Sequence, residues 1–217
     1  MKYDVVIVGA GPAGIFSALE LSSKSDLDII MLEKGSDIDK RKCPASRGLG
    51  CINCNPCHLL SGWGGAGAFS DGKLTLSTSV GGWLDEYVGK EKLSKLLEYV
   101  DKIYSRYASS SVIYGYDIDE VERIEKQASL AGLRLIRQRI RHLGTDNCRE
   151  ALKKIRQDLD NRVEIRTNTE VKSLIVKDGK VKGVKTVDGN EVFGKYVIVA
   201  PGRVGAEWLK SQAEALG

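Results

Sequence analysis

The stretch that decides the fold is YDVVIVGAGPAG, residues 3–14. Its first six residues, Tyr3–Val8, are rich in Val and Ile with little alternation, which is typical of a strand buried on both faces of a parallel sheet. A glycine-rich turn follows, and the pattern beyond it predicts a helix over about Pro12–Ser23. Asp28–Glu33 is predicted to be a second strand. The sequence therefore indicates a strand–turn–helix–strand unit of an α/β protein.

The turn carries the spacing Gly9-x-Gly11-x-x-Gly14. In dinucleotide-binding units these glycines allow a tight turn, close approach of the backbone to a pyrophosphate, and close packing of helix on strand. Glu33 follows 19 residues after Gly14 and is predicted to bind a ribose diol, which argues against NADP. The motif alone does not separate FAD from NAD, and a glycine-rich turn without ligand is the alternative. The candidate dinucleotide contacts are Gly9, Gly11, Pro12, Ala13, Gly14, Glu33 and Lys34.

The remaining pattern predicts helices, a loop and further strands. An ordered, glycine-rich loop is expected over residues 43–82, because so long a loop in a compact domain is usually functional. Helices are predicted at Lys90–Tyr107, at Ile118–Ala131, from Thr145 to about Asn161, and at Val204–Ala215. Strands are predicted at Leu133–Ile140, Val163–Arg166, Val171–Val176, Val181–Val187, Glu191–Phe193 and Tyr196–Ala200.

Two Asp-Gly pairs join three of these strands into an antiparallel meander over residues 168–194. Asp178-Gly179 and Asp188-Gly189 are strong hairpin signals, because both central residues of such a turn need positive φ. The predicted fold class is α/β, a Rossmann-like parallel sheet with a three-stranded antiparallel β-meander and a helical insertion over residues 83–144. The whole chain, residues 1–217, is interpreted as one domain.

The meander and the strand after it resemble the flavoprotein superfamily related to glutathione reductase. In that superfamily a later strand ends in Ala-Thr-Gly, and here Tyr196–Ala200 leads into Pro201 and Gly202, with Pro201 in place of the usual Thr. The resemblance implies an FAD-binding fold in which Ala200 and Gly202 pass close to the dinucleotide. It also implies that Val171, in Thr169-Glu170-Val171, touches adenine through backbone groups.

A narrower resemblance covers most of the chain. The run GGAGAFSDGKL, residues 64–74, and Arg141-His142-Leu143-Gly144-Thr145-Asp146 resemble a family of poorly characterised bacterial and archaeal FAD-dependent dehydrogenases. This implies that Gly64 and Gly65 lie along the flavin and that Ser70, with Asp71 and Lys73, supplies polar contacts. A structural loop with solvated side chains is the alternative. Arg41 is a candidate for a phosphate oxygen, with a solvated surface arginine as the alternative.

Four cysteines precede the glycine run and form a candidate metal site. Cys43, Cys51, Cys54 and Cys57 could hold an iron–sulfur cluster or zinc. Their order departs from the bacterial ferredoxin run, since residue 61 is Ser and the Cys-Pro pair comes first. Reduced thiols, or a redox pair working with the flavin, are the alternatives. Cys148 falls on the apolar face of its predicted helix and is expected to be core.

Composition and charge add little. The chain has 217 residues, 42% hydrophobic and 29% charged, with a net charge of +4 spread along its length. These values are typical of a globular domain, and the mild positive charge suits an anionic small ligand as well as nucleic acid, so it decides between neither. A nucleic-acid partner is not expected, although the basic balance leaves a flavin enzyme acting on tRNA as a further hypothesis. No spanning segment or leader is visible, so a cytoplasmic protein without membrane contact is expected.

The expected function is an FAD-dependent oxidoreductase that passes hydride or electrons through the flavin. The substrate and the electron donor are expected to be small molecules of unknown identity. The sequence shows no second GxGxxG, no substrate domain and no closing Gly-Asp segment, so an N-terminal portion that needs a C-terminal half or a partner subunit is expected. A non-catalytic nucleotide- or iron–sulfur-binding redox module is the alternative.

Overall fold

The computed structural model describes residues 2–108 and 112–217. Its helices are α1 (Pro12–Lys24), α2 (Leu84–Val88), α3 (Lys90–Tyr107), α4 (Ile118–Leu130), α5 (Thr145–Leu159) and α6 (Ala206–Leu216). Its strands are β1 (Lys2–Val8), β2 (Ile29–Leu32), β3 (Lys73–Thr75), β4 (Val112–Tyr114), β5 (Ile140–His142), β6 (Glu164–Arg166), β7 (Val171–Lys177), β8 (Lys180–Thr186) and β9 (Glu191–Val199). The chain separates into two compact units, residues 1–69 with 152–217, and residues 70–151.

The first unit is built on a six-stranded sheet in the order β6-β2-β1-β9-β8-β7. The strands β6, β2, β1 and β9 are parallel, whereas β9, β8 and β7 are antiparallel. This confirms the predicted fold class of a parallel sheet joined to a three-stranded meander. The apolar residues of the inner strands form a core cluster: Tyr3, Val6, Val8, Ile30, Leu32, Val171, Val184 and Val192.

The last meander strand and the apolar strand after it were predicted as two strands, Glu191–Phe193 and Tyr196–Ala200, and this was wrong. They form the single strand β9, whose first part pairs with β8 and whose second part pairs with β1. Gly194 pairs with Tyr3 of β1, directly after Phe193, which pairs with both β8 and β1, and a Cβ at Gly194 would come 2.8 Å from Cγ2 of Val6. The glycine therefore permits close approach of β9 to β1 and does not end the strand.

The two hairpins of the meander use different turn conformations. Asp178 and Gly179 both have positive φ, at 54° and 69°, as predicted. At the second turn only Gly189 has positive φ, at 92°, so the prediction for Asp188 was wrong. There Oγ1 of Thr186 bonds to the Asp188 carboxylate, and the Asn190 side-chain amide donates to the same carboxylate at 2.7 Å. Side-chain hydrogen bonds of this kind support the turn without a positive φ at Asp188.

The second unit contains α2, α3 and α4 together with a three-stranded antiparallel sheet in the order β3-β5-β4. The helix at Lys90–Tyr107 is confirmed, and the predicted Ile118–Ala131 helix is present as α4. Strand β3 lies inside the segment predicted to be loop, and the strand predicted at Leu133–Ile140 begins only at Ile140. Arg141 on β5 donates from Nη2 to Asp101 on α3 at 2.8 Å, which ties the sheet to a helix.

Helix α5 has the amphipathic character that its spacing predicts. Its buried residues are Cys148, Ala151, Leu152, Ile155 and Leu159, so Cys148 is core as expected. Burial raises the pKa of the Cys148 thiol, which keeps the thiol protonated and unreactive at neutral pH. In the described part of the chain, no helix combines the length and the apolar character needed to cross a membrane.

Candidate dinucleotide site

Three parallel strands of the first unit end side by side, at the edge where the candidate residues lie. Val8 at the end of β1 pairs with Leu32 of β2 and with Val199 of β9. The next residues of the three strands, Gly9, Glu33 and Ala200, are therefore neighbours. In the sheet, β2 lies on one side of β1 and β9 on the other, so the connections that leave and return to β1 run to opposite sides. Ligands of open α/β sheets bind in the crevice at such a switch point.

Two of the three turn glycines are required by the fold itself. Gly9 has φ +100°, and a Cβ there would lie 2.2 Å from the carbonyl oxygen of Ala200. A Cβ at Gly14 would lie 2.0 Å from the carbonyl oxygen of Gly9. Any side chain at either position would displace backbone atoms. Gly9 and Gly14 thus close the β1–α1 turn and pack α1 against the sheet.

Gly11 is different, because nothing in the fold excludes a side chain there. It is the N-cap of α1 with φ −78°, and apart from its chain neighbours and the helix backbone no atom of the described residues lies within 4 Å of the position of its missing Cβ. A side chain would project into open space directly before the helix. The absence of a side chain at Gly11 leaves room for a ligand at the helix N-terminus.

The N-terminus of α1 suits an anion. Gly11 offers no capping side chain, Pro12 occupies the first turn, and the first turn contains no acidic residue. The first-turn amides of Ala13 and Gly14 therefore receive no side-chain acceptor from the cap. Backbone N–H groups and the helix dipole at such an end stabilise a phosphate. The cradle fits the pyrophosphate of a dinucleotide.

Glu33 is buried at the centre of this edge, with 6% of its surface exposed. Its Oε2 accepts the N–H of Ala10 at 2.8 Å. Its Oε1 accepts the N–H groups of Gly35 and Gly62, each at 2.8 Å. A carboxylate offers about four acceptor positions, so roughly one, on Oε2, is left for a ribose hydroxyl. The sequence did not indicate that Glu33 joins three backbone segments.

The glycine loop lies against the β1–α1 turn, and the predicted contact of Gly64 and Gly65 with a flavin stays a prediction. The N–H of Gly64 donates to the carbonyl of Ala10 at 2.8 Å. A Cβ on Gly65 would come 3.2 Å from Cα of Gly11. Both loop glycines have positive φ, 84° and 58°. The loop therefore presents backbone, without side chains at these two positions, next to the helix N-terminus.

Arg41 is hydrogen-bonded to the backbone of the same loop. Only 1% of its surface is exposed. Its Nη1 donates to the carbonyls of Trp63 and Gly65, both at 2.7 Å. Nε donates to His58 and Nη2 to Leu59, each carbonyl at 3.0 Å. The structure thus gives Arg41 the role of a buried donor to loop carbonyls. The predicted contact with a phosphate stays a prediction.

The other predicted contacts fall at several places. Ala200 donates its N–H to Val8 at 2.8 Å and so adjoins the turn, and Gly202 has positive φ, at 63°. Lys34 is half-buried next to Glu33. The side chain of Val171 is buried in the sheet core, which leaves only its backbone for the predicted adenine contact. The roles of these residues toward a ligand stay predictions.

Ser70 belongs to the second unit, with Asp71 and Lys73. Asp71 pairs with Lys73 at 2.7 Å, and this pairing holds the pKa of the Asp71 carboxyl below its usual range. Ser70 is exposed, and its hydroxyl accepts the N–H of Gly72 at 3.3 Å. The contact of Ser70 with a flavin also stays a prediction.

The four cysteines of the predicted metal site do not come together in the structure, so the metal stays a prediction that no observed geometry supports. Cys43 is buried, whereas Cys51 is exposed. The Sγ of Cys51 accepts the N–H of Asn53 at 3.4 Å, and that of Cys54 accepts the N–H of His58 at 3.5 Å. Over residues 2–108 and 112–217, no three His, Cys, Asp or Glu side chains converge as metal ligands would. The spacing of Cys43, Cys51, Cys54 and Cys57 therefore does not translate into a common centre.

Comparison with known proteins identifies the family of the chain. A family model of pyridine nucleotide-disulphide oxidoreductases matches residues 3–202. An uncharacterized protein of Clostridium beijerinckii is 29% identical over 205 residues, which cover 93% of this chain and 31% of that protein. The chain thus spans about a third of the length of this relative.

Two solved structures share the fold. Glycine oxidase of Geobacillus kaustophilus has a TM-score of 0.53 and 14% identity, and the match covers 98% of this chain and 58% of that chain. Glycerol-3-phosphate dehydrogenase of Bacillus halodurans, complexed with FAD, has a TM-score of 0.53 and 15% identity. That match covers 97% of this chain and 36% of that chain. At these identities the likeness establishes the fold alone.

Proposed function

The chain belongs to the pyridine nucleotide-disulphide oxidoreductase family, and on this premise we propose that it binds FAD in a flavin-dependent oxidoreductase. The observation that carries the proposal is the contrast within one turn. At Gly9 and Gly14 the position of the missing Cβ is already occupied by backbone atoms, whereas at Gly11 it faces open space at the N-terminus of a helix without a side-chain cap. Selection for folding alone explains the first two glycines, and a ligand against the backbone explains the third.

The residues of the first unit divide the dinucleotide between them. The amides of Ala13 and Gly14, with the dipole of α1, would hold the pyrophosphate. The remaining acceptor position of Glu33 would take a ribose hydroxyl, and the backbone of Val171 would meet the adenine. Gly64 and Gly65 would lie along the flavin side. The further contacts that we propose are Gly9, Pro12, Lys34, Ala200 and Gly202.

Bound FAD would supply the isoalloxazine ring, which takes up hydride or an electron pair and passes it on. The chain would contribute binding, orientation and a fixed electrostatic environment. We further propose that the reaction is a dehydrogenation in the cytoplasm, with a small-molecule substrate, a separate electron donor or acceptor, and a further domain or subunit. The resemblance to FAD-dependent dehydrogenases in residues 64–74 and 141–146 supports this choice.

The direct test is the visible spectrum of the purified chain, with extraction and chromatography of its cofactor. We expect flavin absorbance bands that bleach when a reductant is added and return with an acceptor. Extracted nucleotide that co-migrates with FAD supports the proposal. A protein that neither retains FAD nor takes it up after incubation with excess FAD would contradict it.

Gly11→Ala is expected to weaken FAD binding by roughly tenfold while leaving the fold intact. The new methyl group meets no described atom beyond its chain neighbours and the helix backbone, and φ at this position suits an L-residue, which stabilises by about 0.4–1 kcal/mol through the unfolded chain. Alanine is a poorer N-cap than glycine by a similar amount, so the free energy of unfolding of the ligand-free chain should change by less than about 1 kcal/mol. FAD affinity is measured by fluorescence quenching on addition of the chain, and stability by urea unfolding.

Gly14→Ala is the matched comparison in the same turn. Its methyl group would lie 2.0 Å from the Gly9 carbonyl oxygen, so this variant should unfold more easily whether or not FAD is present. If Gly11→Ala bound FAD as tightly as the original chain, the space before α1 would not be a pyrophosphate site.

A further inference from the structure

The second unit contains a polar cavity of its own, of about 340 Å³. This volume falls in the range of small-molecule sites in proteins. All of its lining lies within residues 70–151, on the segment after β3, on α3, on α4 and its preceding turn, and on the stretch before β5. The lining residues are Leu76, Ser77, Thr78, Ser94, Gly115, Ile118, Val121, Arg137, Gln138 and Arg139.

The charge of the lining has one sign. Two arginines contribute to it, and no lining residue is acidic. Arg137 is paired with Glu125 from α4, so its charge is largely balanced. Within the described residues Arg139 forms no ion pair. Arg139 is therefore the cation that remains for an anion entering the cavity.

Polar groups without partners stand at the wall. Both side-chain amide atoms of Gln138 are covered, and within the described part of the chain neither has a hydrogen-bond partner. Buried amides are almost always paired, so an unpaired one at a cavity wall indicates a missing ligand or water. Thr78 and Ser94, which carry hydroxyl groups, also line the cavity. The lining thus combines hydroxyl-bearing residues with Arg139, and the unpaired amide of Gln138 lies covered beside it.

The wall is held in place by the backbone. The N–H of Leu76 donates to the carbonyl of Arg139 at 2.8 Å. Gly115 has φ +74°, and a Cβ there would lie 2.1 Å from the carbonyl oxygen of Gln138. The arginine-rich alternation of residues 133–140 is therefore fixed beside the cavity, and Arg137, Gln138 and Arg139 all reach it.

We propose that this cavity binds a small organic anion, whose carboxylate or phosphate group is held by Arg139 with the hydroxyls of Thr78 and Ser94. The carbon skeleton of the anion would lie against Leu76 and Val121. An arginine fork can donate two parallel hydrogen bonds to two oxygens of a carboxylate or a phosphate, and neighbouring hydroxyls can donate to the same group. The site goes beyond the flavin function, and neither depends on the other.

Calorimetric titration of the chain tests the proposal, with sodium benzoate, phenyl phosphate and inorganic phosphate as separate probes at constant ionic strength. We expect saturable binding of at least one probe. The benzoate and phosphate arms distinguish a carboxylate site from a phosphate site, and phenyl phosphate against inorganic phosphate measures the contribution of the apolar wall. Enthalpy changes that never saturate with any probe would overturn the proposal.

Arg139→Gln is expected to weaken the best probe by about tenfold or more, because a charge-assisted hydrogen bond is lost. Arg134→Gln is the matched control, since Arg134 is an exposed arginine on the same stretch outside the cavity. Ser94→Ala, at an exposed position of α3 on the cavity lining, should weaken binding of the probe by a smaller factor than Arg139→Gln. Equal affinities of the Arg139→Gln and Arg134→Gln chains would overturn the site. Flavin retention is measured on the same samples, so failure of the anion site is distinguishable from failure of the flavin proposal.

Discussion

Replacement of Glu33 by alanine is expected to lower the free energy of unfolding by about 3–5 kcal/mol and to abolish FAD retention. The carboxylate is 6% exposed and accepts three backbone N–H groups. These come from the β1–α1 turn, from the end of β2 and from the glycine loop. Alanine would leave the amides of Ala10, Gly35 and Gly62 without their acceptor. A domain of this size is stable by only about 5–15 kcal/mol, so the loss is large.

Urea unfolding of the ligand-free chain measures the first effect, and flavin absorbance after gel filtration measures the second. Glu20→Ala is the control, because Glu20 is partly exposed on α1 and its one ion pair among the described residues is with the exposed Lys24, so the free energy of unfolding should change by less than about 0.5 kcal/mol. For Glu33→Gln we expect a loss of free energy of unfolding between those of Glu33→Ala and Glu20→Ala. The glutamine amide keeps one acceptor oxygen but turns its N–H₂ group toward backbone donors.

The outcome would separate two roles for the same carboxylate. If Glu33→Ala lost FAD but unfolded like the original chain, Glu33 would be a ribose ligand only, and its three backbone bonds would contribute nothing to stability. If stability fell but the folded fraction still bound FAD normally, the predicted ribose contact would be wrong. The structure leads us to expect both losses together.

The parts of the fold that the sequence predicted are those governed by local pattern. The run of Val and Ile in β1, the glycine turn and the apolar spacing of α1 each specify structure within about a dozen residues. Helix α3 was predicted with the bounds that the structure shows, because its heptad-like spacing is uninterrupted over Lys90–Tyr107. Such elements need no information from the rest of the chain.

The misses depend on contacts between distant residues. Strand β9 was divided at Gly194, because a glycine normally weakens a strand and the reason for it, Val6 on β1, is far away in sequence. The strands β3, β4 and β5 have three residues each, too short for a periodic signal, and are formed only by pairing with one another.

The candidate site divides in the same way. The glycine spacing predicted where α1 begins and which backbone would face a ligand. It did not predict that Glu33 would join Gly35 to Gly62, or that Arg41 would be buried, since these bonds join residues that have no common local pattern. The cysteine spacing suggested a metal site. Spacing alone, however, does not show whether the side chains of Cys43 and Cys51 face the same point.

Replacement of Arg41 by methionine is the second change with a large expected effect, a loss of about 3–5 kcal/mol in the free energy of unfolding. Methionine keeps an unbranched apolar stem of similar reach, so the packing beside Gly62 is largely kept while the guanidinium is removed. The carbonyls of His58, Leu59, Trp63 and Gly65 would then lose a buried donor. Arg41→Lys should recover only part of the loss, because an ammonium group lacks the planar fork that reaches all four.

The readouts are urea unfolding and the fluorescence emission of Trp63. This side chain is fully buried and directly precedes Gly64, so its emission reports on the glycine loop. Loosening of the loop should shift this emission to the red before global unfolding, while the exposed Trp83 and Trp208 on α6, whose Nε1 donates to the Lys172 carbonyl, give a constant background until the chain unfolds. Arg47→Met, at an exposed arginine six residues further on, should change neither quantity. If Arg41→Met unfolded like the Arg47→Met control and only FAD binding fell, the guanidinium would serve the phosphate and not the loop. Because the side chain is 1% exposed, a phosphate could reach it only after the four carbonyl bonds had broken, and we expect the loop to be lost first.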